Sequence, residues 1–150
     1  MIRVAKITDY AMVILSLIAK ISSTYKKLNS NSEFIENQNP NSNIICASTI
    51  SEQTSIPLPT VAKILKILAQ KQILTSYRGT TGGYRLAVNP ADLSIFKIIE
   101  IFEGPIAIME CNSNKKQCSI AKKCHINNHF NKINQMIYKT LEKFTLNDLL

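Results

Sequence analysis

Acidic residues are scarce in this chain: ten Asp and Glu stand against eighteen Lys and Arg in 150 residues, a formal charge of +8. Histidine is scarcer still, with two, His125 and His129. No paired carboxylates fall at helical spacing in a recognisable pocket. No nucleophile stands with a base, and no glycine-rich loop opens directly into a helix. Acid–base, covalent and nucleotide-dependent catalysis therefore lack visible machinery, and we expect no enzyme and no catalytic residue. Long apolar runs are also missing. The stretch Tyr10–Ala19 is shorter than the ~20 residues that cross a bilayer. Asp9 interrupts the signal-peptide pattern that Arg3 and Lys6 begin, and no lipidation motif is present. These features predict a cytoplasmic protein with no membrane partner.

What is present has the composition of an ordinary globular protein, 45% hydrophobic and 19% charged, in one domain or a small domain with an appendage. The basic charge is unevenly spread. Ten of the eighteen basic residues precede Asn89 against four acids, giving +6; the remaining eight against six acids give +2. A basic N-terminal portion points to a polyanion partner, nucleic acid before membrane.

Cysteine supplies the strongest chemical signal. Cys111, Cys118 and Cys124 lie within fourteen residues, separated by polar, lysine-rich sequence. In a reducing compartment such thiolates read as soft-metal ligands rather than disulfide partners. Their gaps are wider than the two to four residues usual between paired zinc ligands and suit a loop around an iron–sulfur cluster. Zinc, and redox-active or inert thiols, remain alternatives on spacing alone. The fourth cysteine, Cys46, stands apart and reads as a small buried residue heading a helix.

Hydrophobic periodicity orders the rest. Tyr10, Val13, Ile14, Leu17, Ile18 and Ile21 recur at helical spacing, predicting a buried amphipathic helix over 9–22 with Thr8 as N-cap. Residues 29–43, rich in asparagine and serine, predict a surface loop inserted between elements. Thr49–Thr54 predicts a short helix. The turn Ser55-Ile56-Pro57-Leu58-Pro59 then starts a second, whose apolar stripe is Val61, Ile64, Leu65 and Leu68 and whose other faces carry Thr60, Lys63, Lys66 and Gln70. That is a helix-turn-helix arrangement. Strands over 73–77 and 84–88 flank Arg78-Gly79-Thr80-Thr81-Gly82-Gly83. A glycine-rich hairpin directly after such a helix is a wing, with an arginine able to enter a minor groove. Beyond it we expect a helix over 93–102 and a long one to Phe144, with Ile126, Phe130, Ile133, Ile137, Leu141 and Phe144 as its stripe. A long amphipathic helix with little left in its own chain to cover it usually pairs with a second copy.

The fold class expected is mainly α with a small β-hairpin: a winged helix-turn-helix DNA-binding domain over 1–90, and a cluster-binding loop with dimerisation helices over 91–150. The chain resembles the IscR/NsrR-type iron–sulfur transcriptional regulators, and among them those of the SUF cluster-assembly system. The residues that carry the resemblance are Lys6-Ile7-Thr8-Asp9-Tyr10-Ala11, Leu58-Pro59-Thr60-Val61 with Lys63-Ile64-Leu65-Lys66, the wing from Arg78-Gly79 through Gly82-Gly83-Tyr84-Arg85-Leu86, and Glu103-Gly104-Pro105-Ile106 followed by the three cysteines. It covers the whole chain except the insertion.

The resemblance implies a homodimer that binds double-stranded DNA near iron–sulfur assembly genes, as repressor or activator, and uses occupancy of a 2Fe–2S or 4Fe–4S cluster as its signal. Cys111, Cys118 and Cys124 would be cluster ligands. Thr60 and Lys63, with Lys66, would face the major groove, Arg78 the minor groove, and Tyr84 would belong to the same DNA-binding wing. Two departures matter. Asn127 stands where some relatives place a ligating histidine, and Ala62 where some carry an acidic base-reading residue. The resemblance then favours Asp9, matching a carboxylate that relatives supply from the partner's first helix, as fourth ligand ahead of His125 or His129. A zinc-stabilised regulator and a cluster-carrying redox or electron-transfer protein are the alternative functions.

Overall fold

A computed structural model describes residues 4–30, 43–79, 82–105 and 123–150. Cys111 and Cys118 lie outside the described residues, as does most of the asparagine-rich insertion. The element order is α1 (Lys6–Ser30), α2 (Ala47–Thr54), α3 (Leu58–Gln70), β1 (Leu74–Tyr77), β2 (Gly83–Leu86), α4 (Ile95–Glu103) and α5 (Asn127–Lys143). Short 3-10 helices at Pro90–Asp92 and Leu146–Leu149 complete it. The molecule is mainly helical with one two-stranded antiparallel sheet, as expected.

The first helix departs most from its sequence reading. It spans twenty-five residues rather than 9–22, and takes in Asn29 and Ser30, two residues assigned to the insertion. The Ser22-Ser23-Thr24 run is accommodated in the helix, with Ser22 and Thr24 donating their hydroxyls to the carbonyls of Ile18 and Lys20, four residues back. The stretch Lys6–Thr24 is therefore long and apolar enough to cross a membrane by length and composition, contrary to the expectation from Tyr10–Ala19. Its stripe of Ala11, Ile14, Leu15, Ile18 and Ala19 is instead buried in the core of this chain. Nor is Thr8 the N-cap. It lies inside the first turn, fully buried, and its hydroxyl donates to Glu103 Oε1 at 2.6 Å. Ala5 N–H donates to the same oxygen at 2.7 Å. A carboxylate from the end of α4 thus does the capping that a local side chain would normally supply.

The helix-turn-helix follows its sequence closely. Ser55 closes α2 in the left-handed region at φ 56°, Ser51 Oγ donates to the Ile56 carbonyl at 2.7 Å, and Pro57 sets the entry to α3. Val61, Ile64, Leu65 and Leu68 are all fully buried. At the far end Gln72 takes φ 60°, and Ile73 N–H donates to the Leu68 carbonyl at 3.0 Å, turning the chain into β1.

The hairpin pairs Leu74 with Leu86 and Tyr77 with Gly83. A third segment adds to it: Ile45 N–H donates to the Tyr84 carbonyl at 3.0 Å and Tyr84 N–H to the Ile45 carbonyl at 2.8 Å. That bridge explains Gly83, because a Cβ there would overlap the Ile45 carbonyl. Gly79 is required for another reason, its φ of 113°.

The fourth helix begins at Ile95 rather than 93, with Ser94 Oγ accepting from Lys97 N–H at 3.2 Å, after a 3-10 turn. The chain end folds back onto it. Ile95 N–H donates to the Phe144 carbonyl and Leu146 N–H to the Leu93 carbonyl, both at 2.8 Å, and Leu146 is fully buried. One hydrophobic cluster therefore joins α1, α2, α3 and β1 to Leu93, Ile98 and Leu146. Burial of such side chains stabilises by about 1.5–3 kcal/mol each.

Candidate nucleic-acid interface

The burial of one face of α3 fixes what the other presents. Pro59, Ala62, Lys63, Lys66 and Gln70 are all exposed, at spacings of three, one, three and four residues, and form an outward stripe carrying two ammonium groups. Thr60 is half-buried at its edge. The wing follows three residues after α3. Arg78 is exposed at the end of β1, where the loop departs. Arg85 lies on the opposite strand with its guanidinium 5.2 Å from the Tyr77 ring centre, a cation–π contact between the strands towards the loop end of the hairpin. Tyr84, expected among the DNA-binding residues, is half-buried and packs against the core.

Sequence reasoning missed a groove beside this stripe. Lys6, Ile7 and Tyr10 of α1 face Pro57, Pro59, Thr60 and Lys63 at the start of α3, around a cavity of about 540 Å³. Lys6 Nζ sits 5.5 Å from the Tyr10 ring centre. Among the described residues the one ion pair is Lys97–Glu100, at 2.9 Å, so Lys6, Lys63, Lys66 and Arg78 have no carboxylate partner there. The signal was in the sequence, since Lys6 and Tyr10 belong to a motif already singled out, but nothing local told that they meet α3.

Of the expected cluster ligands, Cys124 and Asp9 are described. Cys124 is a half-exposed free thiol just before α5, and Asp9 is exposed in the first turn of α1. No described side chain hydrogen-bonds to or ion-pairs with either. Among the described residues no three His, Cys, Asp or Glu side chains cluster. His125 and His129 are exposed.

Cys46 differs from its reading as a buried residue: it is half-exposed at the N-cap of α2. Its sulfur lies 3.0 Å from both the Ser48 and Thr49 hydroxyls. Those hydroxyls first, then the backbone N–H groups of the helix start, favour the thiolate and bring its pKa from 9.0 down to about 7.

On α5 the expected apolar stripe divides in two. Phe130, Ile137 and Leu141 are half-buried, whereas Ile126, Ile133 and Phe144 are exposed, joined by Met136. Among the described side chains of the helix the one buried is Asn134. Nearby, Tyr138 meets Phe96 of α4 edge-on, ring centres 5.1 Å apart.

A helix-turn-helix with an exposed basic face, followed at once by a β-hairpin wing on the same core, defines a winged-helix transcriptional regulator. The sequence model of the Rrf2 family, described as an iron-dependent transcriptional regulator, matches residues 34–150, and the chain belongs to that family. It is 32% identical over 101 residues to the HTH-type transcriptional regulator NsrR of Bacillus subtilis (strain 168), covering 67% of this chain and 69% of the relative. Two solved structures share its fold at 20% sequence identity: CymR, the global cysteine regulator of B. subtilis, with TM-score 0.66 over 99% of this chain and 96% of that one, and T. potens IscR, with TM-score 0.63 over 99% and 85%.

Proposed function

We propose that this Rrf2-family regulator binds its operator as a homodimer and reports the state of an iron–sulfur cluster to genes of cluster assembly. The exposed Lys63–Lys66 face of α3, followed directly by the wing, is the observation that carries the DNA-reading part. In this reading Thr60, Lys63 and Lys66 enter the major groove, and Arg78 enters the adjacent minor groove. Tyr84 acts from behind, fixing the wing to the core. Residues 1–90 form the reading unit, and 91–150 carry the cluster loop and the dimer helix.

Cys111, Cys118 and Cys124 would hold the cluster, with Asp9 of the partner protomer as fourth ligand. The cluster would supply a redox- and iron-sensitive link between the cysteine segment and α1. The outward apolar stripe of α5 supports the dimer, because Ile126, Ile133, Met136 and Phe144 form a strip that is left exposed among the described residues.

Binding to a fragment of the protein's own promoter region tests the reading. Lys63→Ala and Lys66→Ala should each lower the salt slope by about one unit per reading head. Arg78→Ala should cost most beside A·T-rich sequence. If all three bind as the parent does, the assigned faces are wrong. Anaerobically purified protein should be brown; a colourless protein containing zinc would favour the zinc-stabilised alternative. Loss of the cluster in His125→Ala or His129→Ala, with retention in Asp9→Ala, would overturn the choice of fourth ligand.

A further inference from the structure

We propose that the groove between the first turns of α1 and α3 is a second phosphate-binding site for the operator backbone, and that Glu103 is the positioning residue that holds it in shape. The inference rests on the DNA-reading assignment above and extends it to α1.

Three observations converge on the groove. It is lined by Lys6 from one helix and Lys63 with Thr60 from the other, and the latter two are also part of or border the α3 reading stripe. A duplex seated on that stripe therefore runs its backbone along the groove. Both ammonium groups lack carboxylate partners among the described residues, and Asp9, in the same turn as Lys6, is not among the lining residues. The walls are stiff. Pro57 and Pro59 fix one side, and the Tyr10 ring carries Lys6 on the other. A phosphodiester oxygen offers what two lysines and a threonine hydroxyl can bind, and no base edge is needed.

Glu103 controls where the α1 side stands. Its single Oε1 accepts from Ala5 N–H at 2.7 Å and from the Thr8 hydroxyl at 2.6 Å, the residues on either side of Lys6 and Ile7. Glu103 is also the last residue of α4, eight positions before Cys111. The clamp is thus fastened to the helix that leads into the cysteine segment, and a change there has a short covalent route to Glu103 and, through its two hydrogen bonds, to the turn that carries Lys6.

Charge and position predict opposite signs, which makes the proposal testable. Removing the Glu103 carboxylate makes the protein more positive, so a purely electrostatic role predicts tighter DNA binding. A positioning role predicts weaker binding. Salt-dependent affinity for the promoter fragment should be measured for Lys6→Gln, Glu103→Ala, Glu103→Gln and the double variant Lys6→Gln/Glu103→Ala, with Lys66→Ala as reference. We expect Lys6→Gln to lower the log–log salt slope by about 0.9 per reading head. Glu103→Ala should lower it equally, the double variant should fall no further than Lys6→Gln, and Glu103→Gln, whose amide oxygen still accepts both bonds, should restore it. A slope lost at Lys66 but kept at Lys6 overturns the clamp and leaves the proposed function standing; slopes kept at both overturn both. Tighter or unchanged binding by Glu103→Ala removes its positioning role. Protection of the groove by inorganic phosphate alone, with no slope change on DNA, would assign the site to a free anion and overturn the proposal.

Discussion

The helices α3 and α5 are both amphipathic, and they use that property in opposite ways. On α3 every member of the apolar stripe is fully buried by its own chain, and what faces outward is lysine. On α5 the outward face is apolar, with Met136 68% and Ile133 44% exposed, while the buried position is the polar Asn134. The apolar stripe of α3 is covered within the chain, which leaves a charged face outward. Among the described residues the outward apolar face of α5 has no such cover, and under the proposed dimer it would meet another helix. The same periodicity thus leaves a basic face outward in one case and an apolar face in the other, and only burial tells them apart.

That contrast can be broken experimentally, and the largest effect lies on α3. Leu68→Ala should cost about 2–5 kcal/mol of folding stability, as for other large-to-small core changes, and be visible as a lower denaturant midpoint. A smaller loss, under about 1 kcal/mol, would mean that α3 is less well seated than its burial implies. Ile133→Asp on α5 should do the reverse. Unfolding of the isolated protomer should shift by no more than about 0.5 kcal/mol, as for an exposed site, yet light scattering should find monomers because the charge would be buried unpaired in the dimer. A parent protein that is already monomeric would remove the contrast altogether.

Two finer tests concern helix ends. Alkylation of the Cys46 peptide, followed by mass spectrometry, should be half-maximal near pH 7 rather than 9. Because the folded pKa is depressed, the thiolate's contribution to stability is complete above pH 9 and lost as pH falls through about 7. Stability relative to Cys46→Ala should therefore rise across that window. The smallest effect is at Gln72, whose φ of 60° suits glycine. Gln72→Gly should raise stability by up to about 1 kcal/mol, and a loss would show that the side chain itself is needed.

Much of the α3–wing unit was legible because its signals are local. The prolines at 57 and 59, four apolar residues at helical spacing and the glycines around Arg78 each act on their immediate neighbours. What escaped is held together over long distances. Glu103 caps a helix ninety-eight residues away from Ala5, and no period in the sequence announces that. Ile45 joins the wing by one backbone bridge, and Gly83, legible only as one glycine of the wing, is needed because its own chain fills the space a Cβ would take. The end of α1 was misplaced because Ser22 and Thr24 satisfy their hydroxyls on the helix itself. Asn134 gave no signal at all, standing beside an isoleucine that the same pattern would have buried first.

The most direct test is footprinting of the anaerobic holo protein and its apo form on its own promoter. The account predicts two protected half-sites related by a pseudo-dyad and about one or more whole helical turns apart, with protection that changes when the cluster is removed. An identical footprint in both forms would contradict cluster sensing, and no footprint in either would contradict the DNA-reading assignment itself.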